Sequence, residues 1–240
     1  MINHSRTGWF PWVSLMTGSV GLGLRCWLLT DADNLGLLPV FHPAGILSLF
    51  LLLLTAGFTY WHLRKATPSN AYRRLFPPSM LAAAGTAVGA AGLGISAFAL
   101  DTTGMLNTLV PLLGIVCIGA LLYASYCRLI GLRPNCLLHG AMVVYLLFRI
   151  LSCCRSWGAE PQLQLYLFPM LGSMFLLLAC YYRSEADAMT GDYRKYLFFG
   201  QIALCCCIMC LPGNDWLFYL SAAIWLSADY CVLPHRQHHG

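Results

Sequence analysis

Charged side chains are scarce in this chain. Asp, Glu, Lys and Arg make up 10% of its 240 residues, whereas a soluble globular domain carries about 25%. Hydrophobic residues make up 59%, and the mean hydropathy is +0.68. With so few charges the chain could not cover its surface in water, which excludes a cytosolic enzyme, a disordered chain and a nucleic-acid-binding module. The composition predicts a polytopic membrane protein, with the lipid bilayer as a partner and no nucleic acid.

The sequence also lacks the common motifs of nucleotide-binding and hydrolytic enzymes. It contains no Gly-x-x-x-x-Gly-Lys-Ser/Thr loop and no Gly-x-Gly-x-x-Gly after a strand. His-Glu-x-x-His and Gly-x-Ser-x-Gly are missing too. No long polar segment between the apolar runs supplies a soluble catalytic domain. We therefore expect no catalytic residue, no cofactor and no bound metal.

Long apolar runs dominate what is present. A membrane-spanning helix needs about 20 mainly apolar residues, and eight stretches qualify. The first is expected to be a retained helix rather than a cleaved signal peptide, because no small-x-small site follows it. The last two are short, so six or seven spans are the alternative to eight. The stretches are 9–29, 44–63, 79–100, 106–127, 135–154, 163–182, 196–211 and 216–232.

Basic residues concentrate in alternate loops. Of the 14 Lys and Arg residues, 11 follow an even-numbered stretch or precede the first: Arg6, Arg64, Lys65, Arg73, Arg74, Arg128, Arg133, Arg183, Arg194, Lys195 and Arg236. The opposite loops hold mainly acids: Asp31, Asp33, Asp101, Glu160 and Asp215. Cytoplasmic loops of membrane proteins carry the excess of Lys and Arg. The pattern predicts a plasma-membrane protein with both termini in the cytoplasm, which agrees with an even number of spans.

The third stretch is rich in Ala and Gly. Gly85, Gly89 and Gly92 recur along it, and small residues let membrane helices approach closely. The pattern predicts a central, tightly packed helix. The alternative is a docking face for a second copy of the chain or for another membrane protein.

A weak internal similarity favours two four-helix halves, 1–130 and 131–240, within a single transmembrane domain, 1–240. Arg25 precedes Pro43 by 18 residues, and Arg149 precedes Pro169 by 20. The fourth stretch ends in Ala-Ser-Tyr-Cys and the eighth in Ala-Asp-Tyr-Cys. A chance match of so few residues is the alternative.

The twelve cysteines lie in or beside apolar runs, where Cys behaves as a small hydrophobic residue. We expect reduced thiols that pack the helices. Cys207 and Cys210 form a Cys-x-x-Cys pair, but no second pair completes the four ligands of a zinc site. His62 and His139 are candidates for an axial haem pair, and we do not expect one.

Ionisable residues inside membrane spans are functional candidates. Arg25 and Arg149 lie near the outer ends of the first and fifth stretches and, with Arg155, are predicted to line an outward-facing pocket that attracts anions. The alternative is that each reaches the headgroups or pairs with a loop acid. Asp229, near the inner end of the last stretch, is a candidate proton or cation site. Its alternative is an ion pair with an inner arginine.

The sequence thus predicts an all-α membrane bundle that acts as a small permease or channel-like protein for a small, anionic solute. One alternative is a non-catalytic sensor or assembly component that docks on another membrane protein. The other is an intramembrane enzyme acting on lipid, for which no Asp-rich or Ser/His constellation is present.

Overall fold

The computed structural model describes residues 10–35, 42–64, 76–100, 105–157 and 163–231. Within these ranges the regular structure is entirely helical, which confirms the predicted all-α bundle. Six of the helices, α1 to α6, are long and apolar enough to cross a membrane. The eight helices are α1 (Phe10–Leu35), α2 (Pro43–Leu63), α3 (Met80–Phe98), α4 (Leu106–Ile130), α5 (Cys136–Trp157), α6 (Leu163–Asp187), α7 (Tyr193–Met209) and α8 (Trp216–Cys231).

Local chemistry fixes several helix ends. The Ser79 Oγ accepts a hydrogen bond from the Ala82 N–H at 3.4 Å and caps α3. At the C-terminal end of α4, Gly131 adopts φ 75°, the left-handed conformation that commonly ends a helix. Asp192 caps α7 by accepting from the Arg194 N–H at 3.0 Å. The Arg194 guanidinium also donates to this carboxylate, and these bonds lower the pKa of Asp192 below its ordinary value.

Four helices continue past the ends that hydropathy predicted. α1 continues to Leu35, α4 to Ile130, α5 to Trp157 and α6 to Asp187, so the predicted ends at 29, 127, 154 and 182 were short. Hydropathy falls where polar residues begin, but a helix continues wherever other helices provide partners for those residues. Asp31, predicted to lie in an outer loop, therefore belongs to α1.

Helix α7 lies at the centre of the bundle. It packs against α1, α2, α6 and α8, and every residue from Gly200 to Met209 is buried. The predicted central helix, α3, packs on α4 and α8 but keeps Val88 and Ile95 exposed. Small residues set how closely two helices approach, whereas depth in the bundle depends on how many sides are covered.

The outer surface of the bundle is apolar. Large hydrophobic side chains on α1 to α5 are exposed, including Val20, Phe50, Leu53, Ile115 and Leu147. An apolar surface of this extent marks contact with a partner or a membrane rather than water. Lipid chains are its natural solvent.

The two short helices lie inside this apolar shell. α7 has 17 residues and α8 has 16, which gives lengths of about 24–26 Å at a rise of 1.5 Å per residue. α7 packs mainly against α6, and α8 packs mainly against α3. One buried apolar cluster includes residues from both predicted halves, among them Leu52, Ala90, Met142, Cys206 and Trp225.

Candidate functional site

Two buried polar groups lie at opposite ends of the bundle. We name the ends outer and inner after the predicted sidedness. The outer polar layer consists of Arg25 on α1, Arg149 on α5, and Asp215 and Tyr219 at the start of α8. The inner polar cluster consists of Arg128 on α4, His139 on α5, Arg183 and Asp187 on α6, Tyr196 on α7 and Asp229 on α8.

Arg25 is positioned by a backbone hydrogen bond that is missing inside α6. Pro169 has no N–H, so the Leu165 carbonyl four residues earlier loses its helical partner. The Arg25 Nη2 donates to that carbonyl from α1. The Arg25 guanidinium also lies 5.7 Å from the centroid of the Phe168 ring. With 4% of its surface exposed, Arg25 supplies the bond that the proline removes.

Arg149 lies deeper and has an acidic partner. It is 1% exposed, and its Cζ lies 3.9 Å from the centroid of the Phe218 ring. The Arg149 Nη2 is 3.3 Å from the Asp215 Oδ2, and 33% of the Asp215 side chain is exposed. The pair therefore joins a buried cation to a partly exposed acid at the outer end of the bundle.

Tyr219 lies near both arginines. The hydroxyl donates to the Pro169 carbonyl at 3.0 Å and lies 3.3 Å from the Ser173 Oγ. The structure thus brings Arg25 and Arg149 to one layer, whereas Arg155 is exposed further along α5.

A small groove adjoins the outer polar layer. Its volume is about 140 Å³, and it is lined by His42, Gly45, Ile46, Leu49, Leu167 and Phe168. His42 is held at one edge by the Asp31 carboxylate, whose Oδ2 lies 3.0 Å from the His42 Nε2. Phe168 forms a wall of the groove and also contacts Arg25, so the groove and the arginine layer share one side chain.

The inner polar cluster centres on Asp229. The Asp229 Oδ1 is 3.9 Å from the Arg128 Nη2, and its Oδ2 is 3.4 Å from the Arg183 Nη1. The Tyr196 hydroxyl donates to the same Oδ2 at 2.9 Å. Asp229 is 3% exposed. Of the two interpretations open from the sequence, the geometry has the acid paired with inner arginines.

A second buried carboxylate, that of Asp187, completes the inner polar cluster. The His139 Nδ1 lies 2.5 Å from the Asp187 Oδ2, and the Arg183 Nε lies 3.7 Å from the Asp187 Oδ1. The His139 ring stacks on Trp225 with the ring centroids 6.2 Å apart and the planes 10° from parallel. Five helices, α4 to α8, thereby meet at polar side chains that are almost completely buried.

Phe76, just before α3, lies among the cations of the inner polar cluster. Its ring centroid is 3.4 Å from the Arg183 Cζ and 5.0 Å from the Arg128 Cζ. A cation over an aromatic face is stabilised most when both are removed from water. Phe76 is 3% exposed, so both of its contacts with guanidinium groups lie away from water.

The sequence pointed to Asp229 but missed most of its neighbours. Arg128 and Arg183 were predicted to be loop residues, because they follow the apolar stretches. The signal that could have found them is helical spacing. Arg183 and Asp187 stand four residues apart, so they share one face if α6 continues past residue 182.

The three glycines of α3 position this cluster through α8. Gly85 lies against Ala228, Gly92 against Ser221, and a Cβ placed on Gly89 would lie 2.7 Å from the Trp225 Cβ. The close approach holds α8 where Trp225 and Asp229 reach the cluster. The same face is thereby covered within the chain.

All twelve cysteines lie in described residues and are free thiols. Eight of them are buried: Cys117, Cys127, Cys153, Cys180, Cys205, Cys206, Cys207 and Cys210. Throughout the part of the chain that the structure describes, no group of three or more His, Cys, Asp or Glu residues is arranged to hold a metal ion.

Six long apolar helices and an apolar exterior define the class of protein: the chain is a helical integral membrane protein. No protein-family model, curated protein or solved structure matches it.

Proposed function

We propose that the chain is a small permease or channel-like protein of the plasma membrane, with both termini in the cytoplasm. Its solute is a small carboxylate-bearing anion, and the outer polar layer is the solute site. The observation that carries the proposal is the pairing of buried Arg149 with the partly exposed Asp215.

The exchange of one carboxylate for another explains how an anion can enter this layer. An isolated buried arginine is costly, but a paired one is tolerated. The Asp215 carboxylate lies on the outer side of Arg149 and is one-third exposed. A solute carboxylate that replaces it leaves the buried charge balanced and can accept two parallel N–H bonds from the guanidinium.

The surroundings of Arg149 favour a solute with both a charged and an apolar part. Arg25 adds a second positive charge to the same layer, and exposed Arg155 attracts anions towards it. The adjoining groove is lined mainly by Ile46, Leu49, Leu167 and Phe168. A short apolar chain fits such a surface, whereas a strongly hydrated inorganic ion does not.

Flux into proteoliposomes tests this function. Radiolabelled acetate, lactate and benzoate are supplied outside vesicles that contain wild type, Arg149→Ala or Asp215→Asn. We expect Arg149→Ala to lower the flux at least tenfold, because the carboxylate loses its partner. Asp215→Asn lowers the solute concentration at half-maximal flux, because the competing carboxylate is gone.

Arg133→Ala is the matched control, because Arg133 is exposed at the inner end. Its flux should equal that of wild type. Arg25→Ala is read together with its melting temperature, because the Leu165 carbonyl also loses its donor. Equal flux from wild type and Arg149→Ala would remove Arg149 from the mechanism. An absence of flux for every solute would overturn transport itself.

A further inference from the structure

The inner polar cluster is charge-balanced when its histidine is neutral. Arg128 and Arg183 contribute two positive charges, and Asp187 and Asp229 contribute two negative charges. Arginine stays protonated in proteins, and each of the two carboxylates is paired with an arginine. Histidine is the side chain that ordinarily changes its charge between about pH 5 and 8. Among the described members of this cluster, His139 is therefore the group that can gain a charge near neutral pH.

Every helix that packs around His139 contributes a polar or charged group. α6 supplies the closest, the Asp187 carboxylate at 2.5 Å, and α8 supplies the stacked Trp225 ring. Other titratable groups at this end include Cys127 and Arg128 from α4, Arg183 from α6, Tyr193 and Tyr196 from α7, and Asp229 and Tyr230 from α8.

We propose that the inner polar cluster is a proton-binding site and that His139 takes the proton. In the neutral ring, Nδ1 holds its hydrogen and donates it to the Asp187 Oδ2. The incoming proton leaves a hydronium ion, forms an N–H bond at Nε2, and leaves water behind. The imidazole becomes an imidazolium, and the cluster gains one positive charge.

The Tyr193 hydroxyl offers a place for the water that must deliver the proton. It is buried beside this cluster and has no hydrogen-bond partner among the described residues. Buried polar groups without a protein partner are commonly satisfied by ordered water. A water held there lies among the charged groups of the cluster.

The proton site also acts on the outer polar layer, a step that rests on the proposed function. His139 and Arg149 lie ten residues apart on α5, which places them about 15 Å apart along the helix axis. A proton below and an anion above attract each other, and each must raise the affinity for the other by the same factor. At an effective dielectric constant of about 20, this factor is roughly sixfold. Joint passage of the two would be electroneutral.

Fluorescence of Trp225 tests proton binding without any solute. A charged imidazole stacked on an indole quenches its emission, so we expect wild type in detergent to lose intensity in one step as the pH falls. The step should be absent in His139→Gln and in Trp225→Phe. It should persist in the control His42→Gln, which removes the outer histidine that contacts Trp27. A step that survives in His139→Gln would overturn the proposal, as would a wild type without a step.

Asp187→Asn keeps the inference falsifiable if His139→Gln does not fold. Loss of the carboxylate should shift the pH at which the fluorescence step occurs, and an unmoved step would contradict the assigned pair. In proteoliposomes, an inward proton gradient should accelerate anion uptake by wild type but not by His139→Gln. A clear fluorescence step without uptake of any anion would leave the proton site standing and overturn the proposed function. Anion uptake without a fluorescence step would leave the proposed function standing and overturn the proton site.

Discussion

Removal of one charge from the inner polar cluster should be among the most damaging conservative changes in the chain. Asp229→Asn keeps the shape of the side chain and an oxygen for the Tyr196 hydroxyl. It deletes the negative charge that lies 3.4 Å from Arg183 and 3.9 Å from Arg128. Among the described members of the cluster, two positive charges then face the Asp187 carboxylate.

The expected magnitude follows from these distances. At an effective dielectric constant of about 20, unit charges this close attract by about 4–5 kcal/mol each. Desolvation offsets part of this energy, and removal of one partner from a buried pair typically costs about 3–5 kcal/mol. For a chain of this size, each kcal/mol lowers the melting temperature by about 2–4 °C. We therefore expect Asp229→Asn to melt about 6–20 °C below wild type.

The buried thiols provide the assay. A coumarin maleimide fluoresces when it reacts with cysteine, and eight of the twelve cysteines become accessible only on unfolding. Cys26, Cys154 and Cys231 are exposed and react at once, which sets the baseline. Melting curves in mild detergent then report the loss of the packed bundle.

Asp192→Asn is the matched control. It makes the same chemical change at the partly exposed start of α7, where Asn caps a helix as well as Asp does. Loss of its ion pair should cost less than about 1 kcal/mol. Asp229→Asn combined with Arg128→Gln restores the charge balance and should melt above Asp229→Asn alone. If Asp229→Asn melts within the range of the control, the electrostatic argument for this cluster is refuted.

Three further predictions concern packing, capping and sidedness. Gly89→Ala forces a methyl group against the α8 backbone and should cost about 1–3 kcal/mol. Gly119→Ala, whose Cβ meets no atom within 4 Å, should be neutral or stabilising by thermal melt. Asp192→Ala should lose about 0.5–2 kcal/mol of stability through the missing cap. Because the folded pKa of Asp192 is lowered, the charge-dependent part of the gap between wild type and Asp192→Ala should be complete above about pH 4 and shrink as the pH falls through the folded value. Reporters inserted at positions 73 and 101 should signal opposite compartments, and a shared compartment would overturn the predicted topology.

The sequence was sufficient for the fold class because length and hydropathy alone decide which segments can cross a bilayer. α2 shows this well, since its predicted bounds, 44–63, differ from the observed helix by one residue. The ends of α4 and α6 were predicted too short because their polar residues are satisfied by other helices. Hydropathy counts Arg128 and Arg183 as residues that seek water. Distant partners such as Asp229 and Phe76 make the burial of these two arginines tolerable.

The same contrast applies to the candidate sites: the sequence reveals single residues, whereas their contacts depend on how the helices pack. Arg25 and Arg149 were found because each interrupts an apolar run, which a linear scan detects. Their meeting at Tyr219 depends on how α1, α5 and α8 pack, and no local pattern encodes that. His139 shows the limit most clearly. It was considered in the sequence as a haem ligand, and its carboxylate partner comes from a helix that begins far along the chain.

The proline in α6 has a consequence for biogenesis. The Leu165 carbonyl cannot be satisfied by its own helix, and its donor resides on α1, which precedes α6 in the chain. In hydrocarbon an unsatisfied carbonyl costs several kcal/mol. The carbonyl gains its donor only when Arg25 of α1 reaches it, so the stable placement of α6 in the membrane depends on α1.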